Sequence, residues 1–527
     1  MGVQNPQTMD ISLVALDGVL AGGNIPIPDT TDTDYLFNSM YLPSSSPLVM
    51  KAYYPEVVKS KYTVQNYNNA YPGLEWSQLF EVLGGNGPII YEIVQAPSGM
   101  TIGSKLTRDT ITGYFVPDSN YSILRWNNPV AGRYRVAIRA TDQIGQKVHW
   151  IWDLFVGTAN HFFMDIAASG TGLGTSPSNY ASYANTFLGS VTTSPAQGKV
   201  LHIKGSTYPS TTERIYSNQY MSSSWVAMPA ENPIFRSKVK VTSDNWYFNG
   251  IVFQAINTDQ FGIIGSDIGV NNFSVVGCLF DECTVSGITN NQSCIGFTRA
   301  GEEAGRENIV VSNCEFKNSP DLHGFDYYRI KDHKFSRNKL TITNGSTLLT
   351  RSWIFPKQEV YNSDIEYNTA NIPSVSGGTV SVAQLYNSVV GGSPNSSPMV
   401  INFRNNYINV GGGVALQLQQ DEGTTSNTVN FDNYVTRNTI VGGGIQIAHW
   451  VSDGKPNRRI FMESNIIQNA DGGAYIRDGG VTPPVNTTDW LFESGINKKG
   501  TSGLVDSDGH LINTTDRGKT GHGIWKP

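Results

Sequence analysis

One short phrase returns eight times between residues 249 and 467, and it limits the folds open to this chain. An Asn, or once a Gly, stands at a bend and a short apolar strand follows at once. The phrase reads Asn249-Gly250-Ile251, Gly277-Cys278-Leu279-Phe280, Asn313-Cys314-Glu315-Phe316 and Asn338-Lys339-Leu340. It continues as Asn362-Ser363-Asp364-Ile365, Asn405-Asn406-Tyr407-Ile408, Asn438-Thr439-Ile440 and Asn465-Ile466-Ile467. The spacing runs from 24 to 43 residues, with strand patterns and no helical pattern between. A loose period of that size marks a solenoid. Asn and Gly tolerate the left-handed backbone that a sharp turn between strands needs. One coil cannot bury its own apolar face, whereas stacked coils share a continuous core. The expected fold is all-β, with a right-handed parallel β-helix as its main body. A large β-sandwich would bring turn signals every ~8–12 residues instead.

Length and charge narrow the function. At 527 residues the chain is too long for one compact core, so several domains are expected. Charged residues make up 15% and the net charge is −6, which argues against nucleic acid as the main ligand. No run of about 18 apolar residues is present, so no membrane span is expected. The residues after Met1 lack a positive segment and a clean apolar core, so no secretory signal is read there. Four cysteines lie between residues 278 and 314 in no zinc-binding pattern. Cys278 and Cys314 follow the bend in successive coils and are expected to stack as small buried hydrophobes. No cofactor and no metal site is expected. The acidic run Asp29 to Asp34 lacks the Gly and terminal Glu of a calcium loop and reads as a solvated turn.

Four regions are expected along the chain: an irregular or β adaptor over 1–76, a β-sandwich over 77–157, the β-helix over 158–482, and a cap over 483–527. In the second region Arg133 to Ala140 alternates, with Tyr134, Val136, Ile138 and Ala140 on one face and Arg133, Arg135 and Arg139 on the other. After a turn at Asp142 to Gly145, Val148, Trp150, Trp152, Leu154 and Val156 alternate inward. The phrases Ala96-Pro97-Ser98-Gly99-Met100-Thr101-Ile102, Gly132-Arg133-Tyr134 and Ala140-Thr141-Asp142-Gln143-Ile144-Gly145 resemble the Ig-like repeats of bacterial and phage surface proteins. Such modules serve as spacers or docking units.

Phe162-Phe163-Met164-Asp165, the Gly/Ser run Ser169 to Pro177, and Gly198 to Tyr208 resemble the opening coils of pectin-lyase-like β-helix proteins. With the recurring bends, the resemblance covers about residues 160 to 480. Ser178 or Asn179 is expected to cap a helix over 180–188 that covers the open end of the rod. The superfamily holds lyases, hydrolases and non-catalytic binders, so the resemblance implies fold and leaves the reaction open.

A second set of strands follows Gly-rich or polar bends on another side of each coil. They are His323 to Tyr328, Gly412 to Gln419, Gly443 to His449 and Gly472 to Arg477. With Phe325, Val414, Leu416, Ile445, Ile447, Ala474 and Ile476 inward, a polar ladder of Asp326, Gln417, Gln419, Gln446, Tyr475 and Arg477 points out, one strand spacing (~4.8 Å) per rung. Nearby loops add Asp421, Glu422, His449, Trp450, Asp453 and Asp478. Carboxylates, His, amides and aromatics on one flank suit glycan chemistry. Asp326, His323 and His449 are the candidate catalytic residues. Gln417, Gln419, Gln446, Tyr475, Arg477 and Trp450 are the candidate substrate-binding residues. A solvated strand face is the plainer reading of the same amides and acids. The order of adaptor, Ig-like module and β-helix is similar to that of bacteriophage tail spikes. That resemblance implies a virion-surface or tail protein binding, or depolymerising, bacterial surface polysaccharide, joined to other virion proteins through its N-terminal region. A homotrimer is compatible with such a rod, although no heptads are visible. The alternatives are a non-catalytic glycan-binding adhesin or virion decoration, and a secreted polysaccharide lyase.

Overall fold

The computed structural model describes residues 51–53 and, with breaks, residues 69–505 of the 527. All regular structure among the described residues is β, and no helix there is long and apolar enough to cross a membrane. The chain forms two compact units, one holding the described residues up to Thr158 and the other those from Ala159 onward.

In the first unit, a four-stranded sheet and a three-stranded sheet share one apolar core. Strand Gly132–Thr141 pairs antiparallel with Lys147–Val156 along its whole length. The expected alternation holds: Val136, Ile138, Ala140, Val148, Trp150, Leu154 and Val156 are buried. Trp152 is half-buried and tilts against Phe80, with ring centroids 4.9 Å apart. The opposite face is ion-paired: Arg133 and Arg135 meet Asp153, and Arg139 Nε donates to Glu92 at 3.0 Å.

The second unit consists mainly of three long sheets that are parallel at every strand pair. The first has 12 strands, from His161–Asp165 to Leu491–Glu493. The second has 10, from Ile215–Ser217 to Tyr475–Arg477, and the third has 10, from Ile234–Phe235 to Lys498–Gly500. From strand Ser224–Ala227 onward the chain visits the first, third and second sheets in rotation, which is the connectivity of a parallel β-helix. Inward positions stack in register: Val311, Phe335, Ile365, Phe403, Val435 and Met462 follow one another through five strand pairs of the first sheet. Phe253, Phe280 and Phe316 stack likewise in the third sheet, with ring spacings of 5.2 and 5.1 Å. Cys278 and Cys314 are free thiols buried in this core, as expected, and Cys283 and Cys294 are free and buried there too.

The recurring phrase proves to be two devices side by side. The left-handed residue at the bend between the first and third sheets is Gly250, Gly277, Asn313, Arg337, Tyr367, Asn405 or Arg437, with φ between 55° and 72°. Asn occupies that place only twice in the series. The residue after it is the conserved-in-place element from Asn338 onward: Asn338, Asn368, Asn406, Asn438, Asn465 and Asn497 form a ladder. Each side-chain oxygen from Asn368 onward accepts the backbone N–H of the Asn one coil earlier, as Asn406 Oδ1 does from Asn368 N at 3.0 Å, and Asn338 Oδ1 begins the series by accepting from Cys314 N. Each side-chain nitrogen donates to a backbone carbonyl of the preceding coil, as Asn406 Nδ2 does to Ile365 O at 2.9 Å. Asn is suited to the place because its amide carries both a donor and an acceptor. Asn362 does not belong to this series. It is left-handed (φ 51°) at a different bend, shared with Asn245, Asn272, Asn308 and Asp332.

The expected helix over 180–188 is not formed where the chain is described. Ala181 bridges Met164, and Asn179 Oδ1 accepts from Leu173 N–H at 3.1 Å instead of capping a helix. Residues 183–188 lie outside the described residues, as do the adaptor apart from residues 51–53 and 69–76 and most of the expected cap.

The outward side of the first sheet carries a buried ion network. Lys334, Asp364, Glu366 and Arg404 are 0–3% exposed. Lys334 Nζ lies 2.8 Å from Asp364 Oδ2 and also pairs with Glu366. Arg404 reaches Asp364 at 2.9 Å and Glu366 at 2.6 Å, and Asn402 Nδ2 donates to Asp364 Oδ1 at 2.9 Å. Burial favours the neutral form of both acids. At Glu366 the charges of Arg404 and Lys334 outweigh it and hold the pKa down at about 2, whereas at Asp364 burial wins and the pKa is raised.

Candidate functional site

The second sheet carries the residues singled out above. Strand His323–Tyr328 places Phe325 and Tyr327 in the core and turns Asp326 to the outward register. The outward column runs Lys240, Gly265, Gly296, Asp326, Phe355, Gln384, Gln417 and Gln446 through successive strands. Two residues further along the strands a second column holds Tyr328, Lys357, Tyr386, Gln419 and Ala448. Asp326, Gln417 and Gln446 are therefore aligned as expected. Asp326 and Gln417 stand three strand spacings (~14 Å) apart.

Three expectations change. Asp326 and Gln417 are each 2% exposed, so their outward register does not make them surface residues. His323 is buried as well. At the last strand the register slips by one from the alternation read in sequence: Tyr475 aligns with Ile445, Ile476 with Gln446 and Arg477 with Ile447. Ile476, and not Tyr475, continues the Gln446 column. The register shift between Val414 and Leu416 is a similar irregularity. His449, Trp450, Asp421, Glu422, Asp453 and Asp478 lie outside the described residues.

The geometry around Asp326 brings in residues that the sequence did not flag. Lys357 Nζ is 3.1 Å from Asp326 Oδ2 and sits over two rings, 3.9 Å from the Phe355 centroid and 5.0 Å from that of Tyr328. Burial pulls the Lys357 pKa down against the pull of Asp326. His323 packs on Phe355 at 4.9 Å, and its Nδ1 lies 2.7 Å from Ser352 O. A carbonyl only accepts, so Nδ1 carries the proton and Nε2 the lone pair. Burial, followed by the smaller effect of Lys357, lowers the His323 pKa to about 4, so the ring is neutral above that pH. Tyr328, Phe355 and Tyr386 are half-buried and give the cluster an aromatic margin. Phe355-Pro356-Lys357 and Gln384-Leu385-Tyr386 alternate as His323 to Tyr328 does; the first follows no Gly pair, and the second stands further beyond its pair, Gly377-Gly378, than the later strands stand beyond theirs.

Gly324 is what lets Trp353 lie against this strand. A Cβ on Gly324 would come within 2.1 Å of Trp353 Cδ1. The Gly324→Ala protein is expected to lose about 1–3 kcal/mol through overpacking, measured by urea unfolding. A loss under ~0.5 kcal/mol would show that the indole can move aside.

Asp326 Oδ1, Gln417 Oε1 and Gln446 Oε1 are buried without a hydrogen-bond partner. In the two outward columns, Asp326 is the one carboxylate among the described residues. No family model, no curated protein and no solved structure matches the chain.

Proposed function

We propose that this chain is a carbohydrate-binding rod of the bacteriophage tail-spike kind. In this reading the β-helix has the right-handed sense favoured by parallel crossovers, and it engages bacterial surface polysaccharide along the outward face of the second sheet. The observation that carries the reading is the aromatic margin of Tyr328, Phe355 and Tyr386 around a Lys357–Asp326 pair, on a face whose next rungs are Gln384, Gln417 and Gln446. Aromatic faces supply stacking area and amides supply hydrogen bonds, the combination that an extended sugar polymer requires. Binding without cleavage is the favoured form. A glycosidase needs two carboxyl groups ~5–5.5 or ~6.5–9.5 Å apart, and the two described columns supply only Asp326.

Titration of the purified protein against a panel of bacterial capsule and lipopolysaccharide glycans tests this, with readouts for binding, new reducing ends and unsaturated uronates. Binding without new ends is expected. The Tyr328→Ala and Tyr386→Ala proteins should bind roughly 2–10-fold more weakly, the effect of losing one stacking ring. Unchanged affinity in both variants, or no binding by the parent protein, would remove the second sheet from consideration.

A further inference from the structure

The unpartnered atoms on this face share one chemical character. Asp326 Oδ1, Gln417 Oε1 and Gln446 Oε1 are all acceptors, and all lie in a single register column. His323 adds a fourth acceptor in the lone pair of Nε2, because Nδ1 is committed to Ser352 O at 2.7 Å. Lys240 heads the column three strands away from Asp326, and the cation next to Asp326 is spoken for: Lys357 is bonded to Asp326 at 3.1 Å and capped by Phe355 and Tyr328. A buried acceptor left unmatched costs free energy, and a ligand that donates to it recovers that cost. A ligand carboxylate or sulfate brings only more acceptors and negative charge.

We infer that the Asp326 face takes a neutral, hydroxyl-rich glycan through the sugar's O–H donors, and discriminates against acidic glycans. The inference rests on the reading that this face binds polysaccharide and adds to it the class of sugar. Asp326 is buried and its partner Lys357 is covered by the half-buried rings of Phe355 and Tyr328, so a hydroxyl reaches Asp326 when a neighbouring side chain turns aside, an ordinary rotamer motion near the surface. Two groups of acceptors about three strand spacings (~14 Å) apart suit an extended polymer better than a single sugar. Arg351, half-buried at the margin, is the group that would take a carboxylate were the inference wrong.

The test measures binding of the full chain to neutral and to uronate- or sialate-bearing bacterial polysaccharides at low and high salt, with Asp326→Asn and Arg351→Gln variants. Neutral glycans should bind, with little change in affinity between about 0.05 and 0.5 M salt, since no charge attraction is screened. Asp326→Asn should weaken neutral binding about tenfold, because it turns one of the two acceptor oxygens into an NH2 donor and removes the charge that strengthens the other. It should also raise binding of acidic glycans, because it removes the negative charge that offsets the Lys357 ammonium. Thermal melts confirm that the variants are folded. Salt-sensitive binding of acidic glycans alone, lost in Arg351→Gln, would overturn the inference while leaving the polysaccharide reading intact. Binding of no glycan of either class would end both.

Discussion

Replacing Arg404 by Met is expected to destabilise the β-helix unit by roughly 3–5 kcal/mol in urea unfolding. Arg404 bonds both Asp364 and Glu366, and its removal leaves two buried carboxylates sharing one Lys334 ammonium. An isolated buried charge is far more costly than the pair it came from. Replacing Lys334, Asp364, Glu366 and Arg404 together by apolar residues of similar volume should cost much less than the single change. A single-variant loss below ~1 kcal/mol would mean that water reaches the network. The acid response follows from Glu366. Its folded pKa of about 2 lies below its ordinary value of 4.5, so the stability it contributes is complete above pH 4.5 and is lost as the pH falls through about 2. Asp364 acts in the opposite sense: its raised pKa means that protonation relieves a penalty. Stability measured from pH 5 to pH 2 should therefore fall less steeply than Glu366 alone would give. In the Arg404→Met protein the Glu366 pKa should rise and that loss should begin at higher pH.

Asn406→Ala should be nearly as damaging, by about 3 kcal/mol, because it strands the Asn368 backbone N–H, the Asn368 amide and the Ile365 carbonyl in a buried setting. Asn409, three residues on, supplies the control. It donates to Asn371 at 3.3 Å at an exposed site, and its replacement should fall within about 0.5 kcal/mol of the parent. Equal effects at the two positions would deny the ladder a structural role.

The solenoid was legible because its cause is periodic. Apolar strands and bend residues repeat, and any coil that stacks must repeat them. Legibility failed where one position serves two physical demands. Asn at a bend satisfies the left-handed backbone, and Asn one place later satisfies two backbone groups. In Asn405-Asn406 both demands stand together, and in Tyr367-Asn368 only the second does. The pattern therefore took Asn362 for a member and passed over Asn368. The face bearing Asp326 was found by alternation, which gives the side of a sheet and says nothing of cover. Burial of Asp326 and Gln417, the partner Lys357, and the rings of Phe355 and Tyr386 depend on neighbours about 30 residues away in the chain, which alternation within one strand does not report. The slip at Tyr475 to Arg477 shows the limit of counting by twos near the end of the rod, where one residue's shift exchanges the two faces.

The four thiols of the early coils have a chemical consequence. Burial pushes the Cys283 pKa up to about 12 and those of Cys294 and Cys314 well above the ordinary thiol value, so these three hold almost no thiolate in the closed rod. Alkylating or oxidising agents attack thiolate, and they reach these sulfurs only when a coil parts from its neighbour. Modification at Cys278, Cys283, Cys294 or Cys314 is accordingly a cumulative record of how often that stretch has breathed, a clock written into the lumen.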